Sequence, residues 1–244
     1  DGEGERLTLL NNWEATYFDF DENKISGLFK GAKDIGVDLF LLDDGWFGNK
    51  YPRNNDDAGL GDWQENKKKL PHGLGYLVKE AKKEGVKFGI WIEPEMVNPK
   101  SELYEKHQDW VIRQPKRPEV YYRNQLVLDL SNPEVQDFVF GIVDNLFVKN
   151  PELAFIKWDC NAVIYNAYSA YLNKKGLNIS KEIWNNEQVK WENYDLAILK
   201  SPWDYFDLIE DFYVWLNKIE SLNIKLLKYF ITPRIKYIKN SKFI

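Results

Sequence analysis

A single cysteine, Cys160, in a chain of 244 residues excludes an intrachain disulfide and any metal site built from several thiolates. Only two histidines occur, His72 and His107. They lie far apart in sequence and show no metal-ligand spacing. Positive charge is not in excess either: the net charge is −5, whereas a nucleic-acid binder usually carries a basic balance or stripe. No uninterrupted apolar run approaches the roughly 18–20 residues of a membrane span. The amino terminus lacks the basic start and apolar core of a signal peptide. The expectation is a cytoplasmic protein with neither membrane nor nucleic acid as partner. The chain opens on Asp1 rather than methionine, which reads as processing or excision from something longer.

What is present is apolar and aromatic. Hydrophobic residues make up 44% and aromatic residues 16% of the chain, enough for a sizeable core and too much for a disordered one. The ten tryptophans lean slightly toward carbohydrate, because indole faces stack on sugars, although they also fill cores.

Four segments share one pattern. Leu7-Thr8-Leu9-Leu10 leads into Asn11, Asn12, Trp13 and Glu14; Val37 to Leu42 stops at Asp43-Asp44-Gly45-Trp46; Val86 to Ile92 ends at Glu93-Pro94-Glu95; Ala154 to Trp158 ends at Asp159. Unbroken apolar runs suit parallel strands covered on both faces. Amphipathic helical patterns separate them: Lys24 to Ile35, closed by Gly36; Leu74 to Glu84, closed by Gly85; and a helix opened by Asn132-Pro133. Asparagine suits the N-cap, proline the first turn and glycine the C-terminal cap. This is the rhythm of βα units, whose ligands bind at the carboxyl ends of the strands. Leu126 to Leu130 also reads as a strand, either a further wall strand or part of a long loop. After Asn161 only one of the fifteen glycines remains, Gly176, and helical spacing runs from Tyr205 to Ile231.

The last strand carries the sharpest chemistry. In Phe155-Ile156-Lys157-Trp158-Asp159, alternation puts Lys157 and Asp159 on one face. An ammonium beside a carboxylate favours its ionised form, as a nucleophile requires. A surface ion pair closing the strand is the plainer reading, but similar polar clusters end three other strands. Asp43-Asp44 offers adjacent acceptors for vicinal hydroxyls or a hard cation, although Asp and Gly also dominate turns. Trp13, Trp46 and Trp91 offer stacking faces, and Arg123 and Lys157 are donors. Either glutamate of Glu93-Pro94-Glu95 suits a structural role on backbone amides.

Taken in order, Asn11-Asn12-Trp13-Glu14-Ala15, Leu42-Asp43-Asp44-Gly45-Trp46-Phe47, Gly61-Asp62-Trp63, Trp91-Ile92-Glu93-Pro94-Glu95-Met96, Leu126-Val127-Leu128-Asp129-Leu130-Ser131 and Lys157-Trp158-Asp159 resemble the catalytic barrel of glycoside hydrolase family 36, chiefly microbial α-galactosidases. The likeness covers roughly Arg6 to Asn161. It implies an α/β fold of the (β/α)8 TIM-barrel type, here incomplete and followed by a mainly helical segment, with residues 1–161 forming the amino-terminal part of the barrel and 162–244 a diverged remainder. It implies a retaining hydrolase of terminal α-linked galactose in melibiose- or raffinose-type oligosaccharides, with Asp159 as nucleophile. Asp43 and Asp44 match the pair that holds the galactose 4- and 6-hydroxyls, Trp13 and Trp91 the pocket walls, and Arg123 and Lys157 its basic contacts. Leu126 to Leu130 then belongs to the long loop after the third strand. No metal or organic cofactor is implied. Self-association is left open.

The sequence departs from that pattern in three ways. Cys160 and Ala162 replace the usual methionine and arginine around Asn161. The later Ser-Cys-Ser-Gly-Gly-Gly segment is absent, and so is a clear acid/base aspartate. Ser201-Pro202-Trp203-Asp204, with Asp207 nearby, has a faint likeness to that region which its flanks do not support. The β-sandwich domains that flank the barrel are missing. The residue types leave two other readings: a non-catalytic galactose-binding module, and a metal-dependent barrel hydrolase with Asp43, Asp44, Glu93 and Glu95 as ligands of magnesium or calcium.

Overall fold

A computed structural model describes residues 6–161, 164, 168–178, 180–199 and 205–228. The chain divides into two compact units, residues 1–179 and 180–244.

The first unit begins with strand β1 (Leu9–Asn11), followed by helices α1 (Trp13–Thr16), α2 (Glu22–Ser26) and α3 (Phe29–Asp34). Then come β2 (Leu39–Leu42), α4 (Leu74–Lys83), β3 (Lys87–Ile92), β4 (Met96–Val97), α5 (Glu102–Lys106), β5 (Leu126–Val127), α6 (Pro133–Lys149), β6 (Phe155–Trp158) and α7 (Ala170–Lys174). Strands β1, β2, β3 and β6 form one sheet in that order, and every pair is parallel. All four carboxyl ends therefore lie along the same edge.

Local chemistry explains the alternation. Helix α4 buries Leu74, Leu77, Val78 and Ala81, the i, i+3, i+4, i+7 stripe of an amphipathic helix. Helix α6 does the same with Val135, Val139, Ile142 and Leu146, and Asn132 caps it by accepting the Glu134 amide at 3.1 Å. Helices α3 and α4 end alike: Gly36 and Gly85 take φ of 81° and 74°, and the next amide reaches back five residues, Val37 to Ala32 and Val86 to Ala81. This doubly bonded left-handed cap stops the helix and starts the strand. The helix expected over Lys24 to Ile35 is split at Gly27-Leu28 into α2 and α3, because glycine is a weak helix former.

Strands β4 and β5 pair antiparallel, Met96 opposite Val127, away from the parallel sheet. The segment around Leu126 thus belongs to the excursion after β3. Among the described residues, β1 and β6 have no neighbour on their outer sides, so the sheet does not close. A parallel barrel needs eight strands, and the described residues of this unit place four in the parallel sheet. Phe155 and Trp158 on the open edge stay 42% and 43% exposed.

The second unit holds β7 (Leu196–Leu199), α8 (Ile209–Ser221) and β8 (Lys225–Lys228), with β7 and β8 parallel. Its core includes Trp184, Trp191, Phe212, Trp215 and Ile219. The helix expected from Tyr205 to Ile231 stops early. Asn223 adopts φ of 56° and the Ile224 amide returns to the Ile219 carbonyl at 3.2 Å, so the following residues extend into a strand. The described part of the second unit thus includes a β-α-β unit.

Phe40, fully buried against Phe29 and Phe88 at centroid distances of 5.0 and 6.3 Å, anchors the outer face of β2. Phe40→Ala is expected to destabilise the first unit by about 3–5 kcal/mol, read as a lower urea midpoint in circular dichroism.

Candidate active site

The site begins with register. Trp91 lies opposite Lys157 in the β3–β6 pairing. Leu42 lies opposite Ile90, so Asp43, one step on, falls level with Trp91. Asn11 pairs with Leu41. Strand alternation turns Asn11, Asp43, Trp91, Lys157 and Asp159 to one face at the carboxyl edge.

Their side chains meet there. Lys157 Nζ lies 3.2 Å from Asp43 Oδ2 and 3.7 Å from Asp159 Oδ2. Asn11 donates to the same Asp43 oxygen at 2.6 Å, and Trp91 Nε1 donates to Asp159 Oδ2 at 3.0 Å. The Asp159 amide continues the ladder onto Ile92 O at 2.9 Å. Asp43 is tied at its amide to Asn12 Oδ1, 2.7 Å, and its Oδ1 accepts the Asp44 amide at 2.8 Å. Asp43 is buried, whereas the Asp159 side chain is 33% exposed: an anchored acid beside an accessible one.

Burial alone would raise the Asp159 pKa. The Trp91 hydrogen bond, the Asn161 side chain, Lys157 and Arg123 outweigh it and hold the carboxyl below its ordinary value. Glu93 goes the other way. It is fully buried, and burial pushes it up to about 7. Asn161 and Arg123 oppose that shift, while the Glu95 and Asp44 carboxylates add to it. Two acids at one sheet edge are thereby shifted in opposite directions.

Asp44 is held differently from Asp43. It is buried and gripped by Arg53, with Nε at 3.0 and 3.1 Å from its two oxygens and Nη2 at 2.8 Å from Oδ2. Burial raises the Asp44 pKa and the guanidinium opposes the rise. Arg53 Nη2 also meets Asp56 at 2.9 Å, and Asp56 in turn meets Arg123 Nη2 at 3.2 Å. Arg123 and Asn124 form a two-residue turn with φ of 52° and 60°, closed by reciprocal bonds between Tyr122 and Gln125. Left-handed φ is uncommon for arginine. Bonds from Asn98 to the Asn124 carbonyl, 2.9 Å, and from Asn124 to Asp57, 2.7 Å, hold the turn.

The three tryptophans differ in exposure. Trp91 is 1% exposed and packs on Phe47 and Trp63, so it contributes its indole N–H rather than an open face. Trp46 is also buried, donating to the Trp91 carbonyl at 2.9 Å. Trp13 is half-buried, edge-on to Tyr17 and Phe18. Its link to the carboxylates is Asn11 Oδ1, which accepts the Trp13 amide at 2.8 Å. Glu95 accepts from Trp158 Nε1 at 2.7 Å, on the opposite face of β6. Among the described residues no three acidic, histidine or cysteine side chains gather as a metal site would require, so the four-carboxylate cage is not formed. Ser201 to Asp204 lie outside the described residues. Arg53 and Asp56 escaped the sequence reading, and Asn11 entered it only as part of a motif; Arg53 sits in a polar loop with no local signal that it pairs with Asp44.

Comparison with known proteins gives two matches along the chain. The family model described as Melibiase covers residues 3–183, and one described as D-cycloserine synthetase DcsG, N-terminal domain, covers residues 159–228. The α-galactosidase AgaA of Geobacillus stearothermophilus is 49% identical over 157 residues, 64% of this chain and 21% of that protein. A variant of AgaA solved with stachyose superposes with a TM-score of 0.65 at 45% identity, covering 68% of this chain and 23% of the other. A second variant, solved with raffinose, gives a TM-score of 0.65 at 36% identity over 92% of this chain and 28% of the other. The chain thus spans between a fifth and three tenths of the length of these relatives. It belongs to the melibiase family, among the glycoside hydrolase family 36 enzymes that its motifs resemble.

Proposed function

We propose that the first unit is the amino-terminal half of a (β/α)8 catalytic barrel that acts on terminal α-linked galactose with retention of configuration. The observation that carries this reading is the Lys157 ammonium set between Asp43 and Asp159 at 3.2 and 3.7 Å. It keeps one accessible carboxylate charged beside an anchored acceptor. Asp159 attacks the anomeric carbon, the glycosidic C–O bond breaks, and the enzyme ester that forms is later opened by water. The departing oxygen takes its proton from an acid that we assign to no residue of this chain. Asp43 and Lys157 hold sugar hydroxyls so that the anomeric carbon stays in line. Asp44 works through Arg53, and Arg123 adds positive charge at the rim. Trp91 fixes the nucleophile by its N–H, and Trp13 forms the outer wall. The substrate class follows from the stachyose and raffinose in the AgaA structures.

The test uses the whole chain, galactose titrated by calorimetry and p-nitrophenyl α-galactoside as substrate. Galactose is expected to bind saturably, and Asp43→Ala to weaken it by about tenfold or more, the worth of one lost charged hydrogen bond. Asp159→Asn is expected to leave affinity nearly unchanged and to cut any turnover about a thousandfold or more. Equal turnover by the Asn variant and the unsubstituted chain would remove Asp159 as nucleophile, and absence of galactose binding would remove the reading itself.

Glu93 supplies a pH test of the same arrangement. Its folded pKa, about 7, is raised above the unfolded value. Its contribution to stability is therefore fully present below about pH 4.3 and lost as pH rises through 7, some 3–4 kcal/mol in all. Glu93→Gln keeps the shape of the neutral acid and cannot ionise. The variant is expected to match the unsubstituted chain in denaturant midpoint near pH 4 and to exceed it at pH 8.

A further inference from the structure

Lys69 was singled out by no motif, yet its ammonium gathers three segments of backbone. Nζ donates to the carbonyls of Phe18 at 2.9 Å, Gly45 at 2.8 Å and Arg53 at 3.2 Å. A lysine ammonium has three N–H donors, and all three are used. The carbonyls belong to the turn that follows Trp13, to the residue after Asp44, and to the partner of Asp44. Aromatic rings close the knot: Phe20 lies 4.7 Å from Nζ and Phe18 lies 5.5 Å from the Arg53 guanidinium. Gly45 packs so closely that an added Cβ would meet Phe18 at 3.0 Å, Phe20 at 3.3 Å and the Arg53 carbonyl at 3.4 Å.

We propose that Lys69 is a positioning residue for the sugar site, its charged ammonium setting the backbone of Asp44-Gly45 and Arg53 and hence the direction of Asp43 and Asp44. The proposal rests on the galactose reading above. Lys69 touches no substrate; it acts by fixing the loop that carries the acceptors. A neutral amine keeps two donors and turns a lone pair toward the third carbonyl, which repels it. One of the three segments is then released.

The charge is poorly solvated where it sits. Burial lowers the Lys69 pKa to about 8, with Asp44 and Asp19 pulling it up and Arg53 pushing it down. Glu22, whose amide donates to the Lys69 carbonyl at 2.8 Å, has its own carboxylate turned to His72. The clamp therefore opens in mild alkali, where ordinary lysines remain charged. If only the charged form binds, apparent affinity follows the charged fraction, which falls about tenfold between about pH 7 and 9.

The experiment is a galactose titration of the unsubstituted chain, of Lys69→Arg and of Lys69→Gln across that range, with near-ultraviolet circular dichroism as the check of folding. The unsubstituted chain is expected to lose about tenfold in affinity with a midpoint near 8, the charge-fraction ratio. Lys69→Arg, charged throughout, is expected to bind without that midpoint, and folded Lys69→Gln to bind weakly at every pH. A flat profile for the unsubstituted chain, the same midpoint in Lys69→Arg, or full affinity in Lys69→Gln would overturn the proposal. The profile of the unsubstituted chain decides alone if a variant does not fold. Absence of galactose binding at pH 7 would instead overturn the reading of the site as a galactose pocket.

Discussion

One ammonium holds the two ends of the site together. Lys157 on β6 reaches Asp43 after β2 and Asp159 after its own strand. It can do so because β3 lies between them with Trp91 at the same level. Without that charge, two carboxylates at one strand edge would repel and one would take up a proton, as closely placed acids do. With it, Asp159 stays ionised while remaining partly open to solvent. Every strand of the sheet then contributes: Asn11 from β1 onto Asp43, Trp91 from β3 onto Asp159, and Lys157 between the two acids. The parallel order β1-β2-β3-β6 is what brings these ends side by side, so the chemistry depends on topology before it depends on any one side chain.

A second layer of charge stands behind the first. Asp44, Arg53, Asp56 and Arg123 alternate in sign from the buried loop to the rim. A buried pair such as Asp44–Arg53 contributes little net stability, because both ions lose their water, yet removing one partner is costly. Its value here is positional. Arg53 also bonds Asn98 at 3.2 Å and the Ala58 carbonyl at 3.3 Å, so the loop from Tyr51 to Asp57 cannot shift without breaking several charge-assisted bonds. The same economy explains Glu93. Burial raises its pKa to about 7, so it carries less charge at neutral pH than an exposed glutamate would, and Trp91, Asn161, Lys157 and Arg123 together hold Asp159 low.

What the sequence made legible follows from where each signal is stored. Parallel strands show as unbroken apolar runs, and helix ends show as Asn132-Pro133, Gly36 and Gly85, because caps and turns are local. The strand-end residues were equally visible: Asp43, Lys157 and Asp159 converge as alternation requires. Arg53 and Lys69 were not, since each draws its role from partners made adjacent only by folding, and neither loop has a periodic pattern. The exposure of Trp91 was also beyond reach, because Phe47 and Trp63 bury it from another loop. In the tail, Leu and Lys spacing suited a helix as well as a strand. The left-handed Asn223 decided between them, and a single asparagine is a weak stop signal in sequence.

A second family model also matches part of that tail. It spans residues 159–228, which include Ser201 to Asp204, the stretch with a faint likeness to an acid/base region. That match covers less than a third of the chain and assigns no catalytic role to those residues. In a retaining mechanism the nucleophile and the acid stand on opposite sides of the scissile bond. On the proposed reading, the residues gathered here, from β1, β2, β3 and β6, form the nucleophile side together with acceptors for sugar hydroxyls. Binding and nucleophilic attack need only that side, whereas protonation of a poor leaving group needs the other. On the same proposal, a substrate whose leaving group departs without help is the one to which such a half-site is best suited, and an unactivated oligosaccharide the one it would serve least.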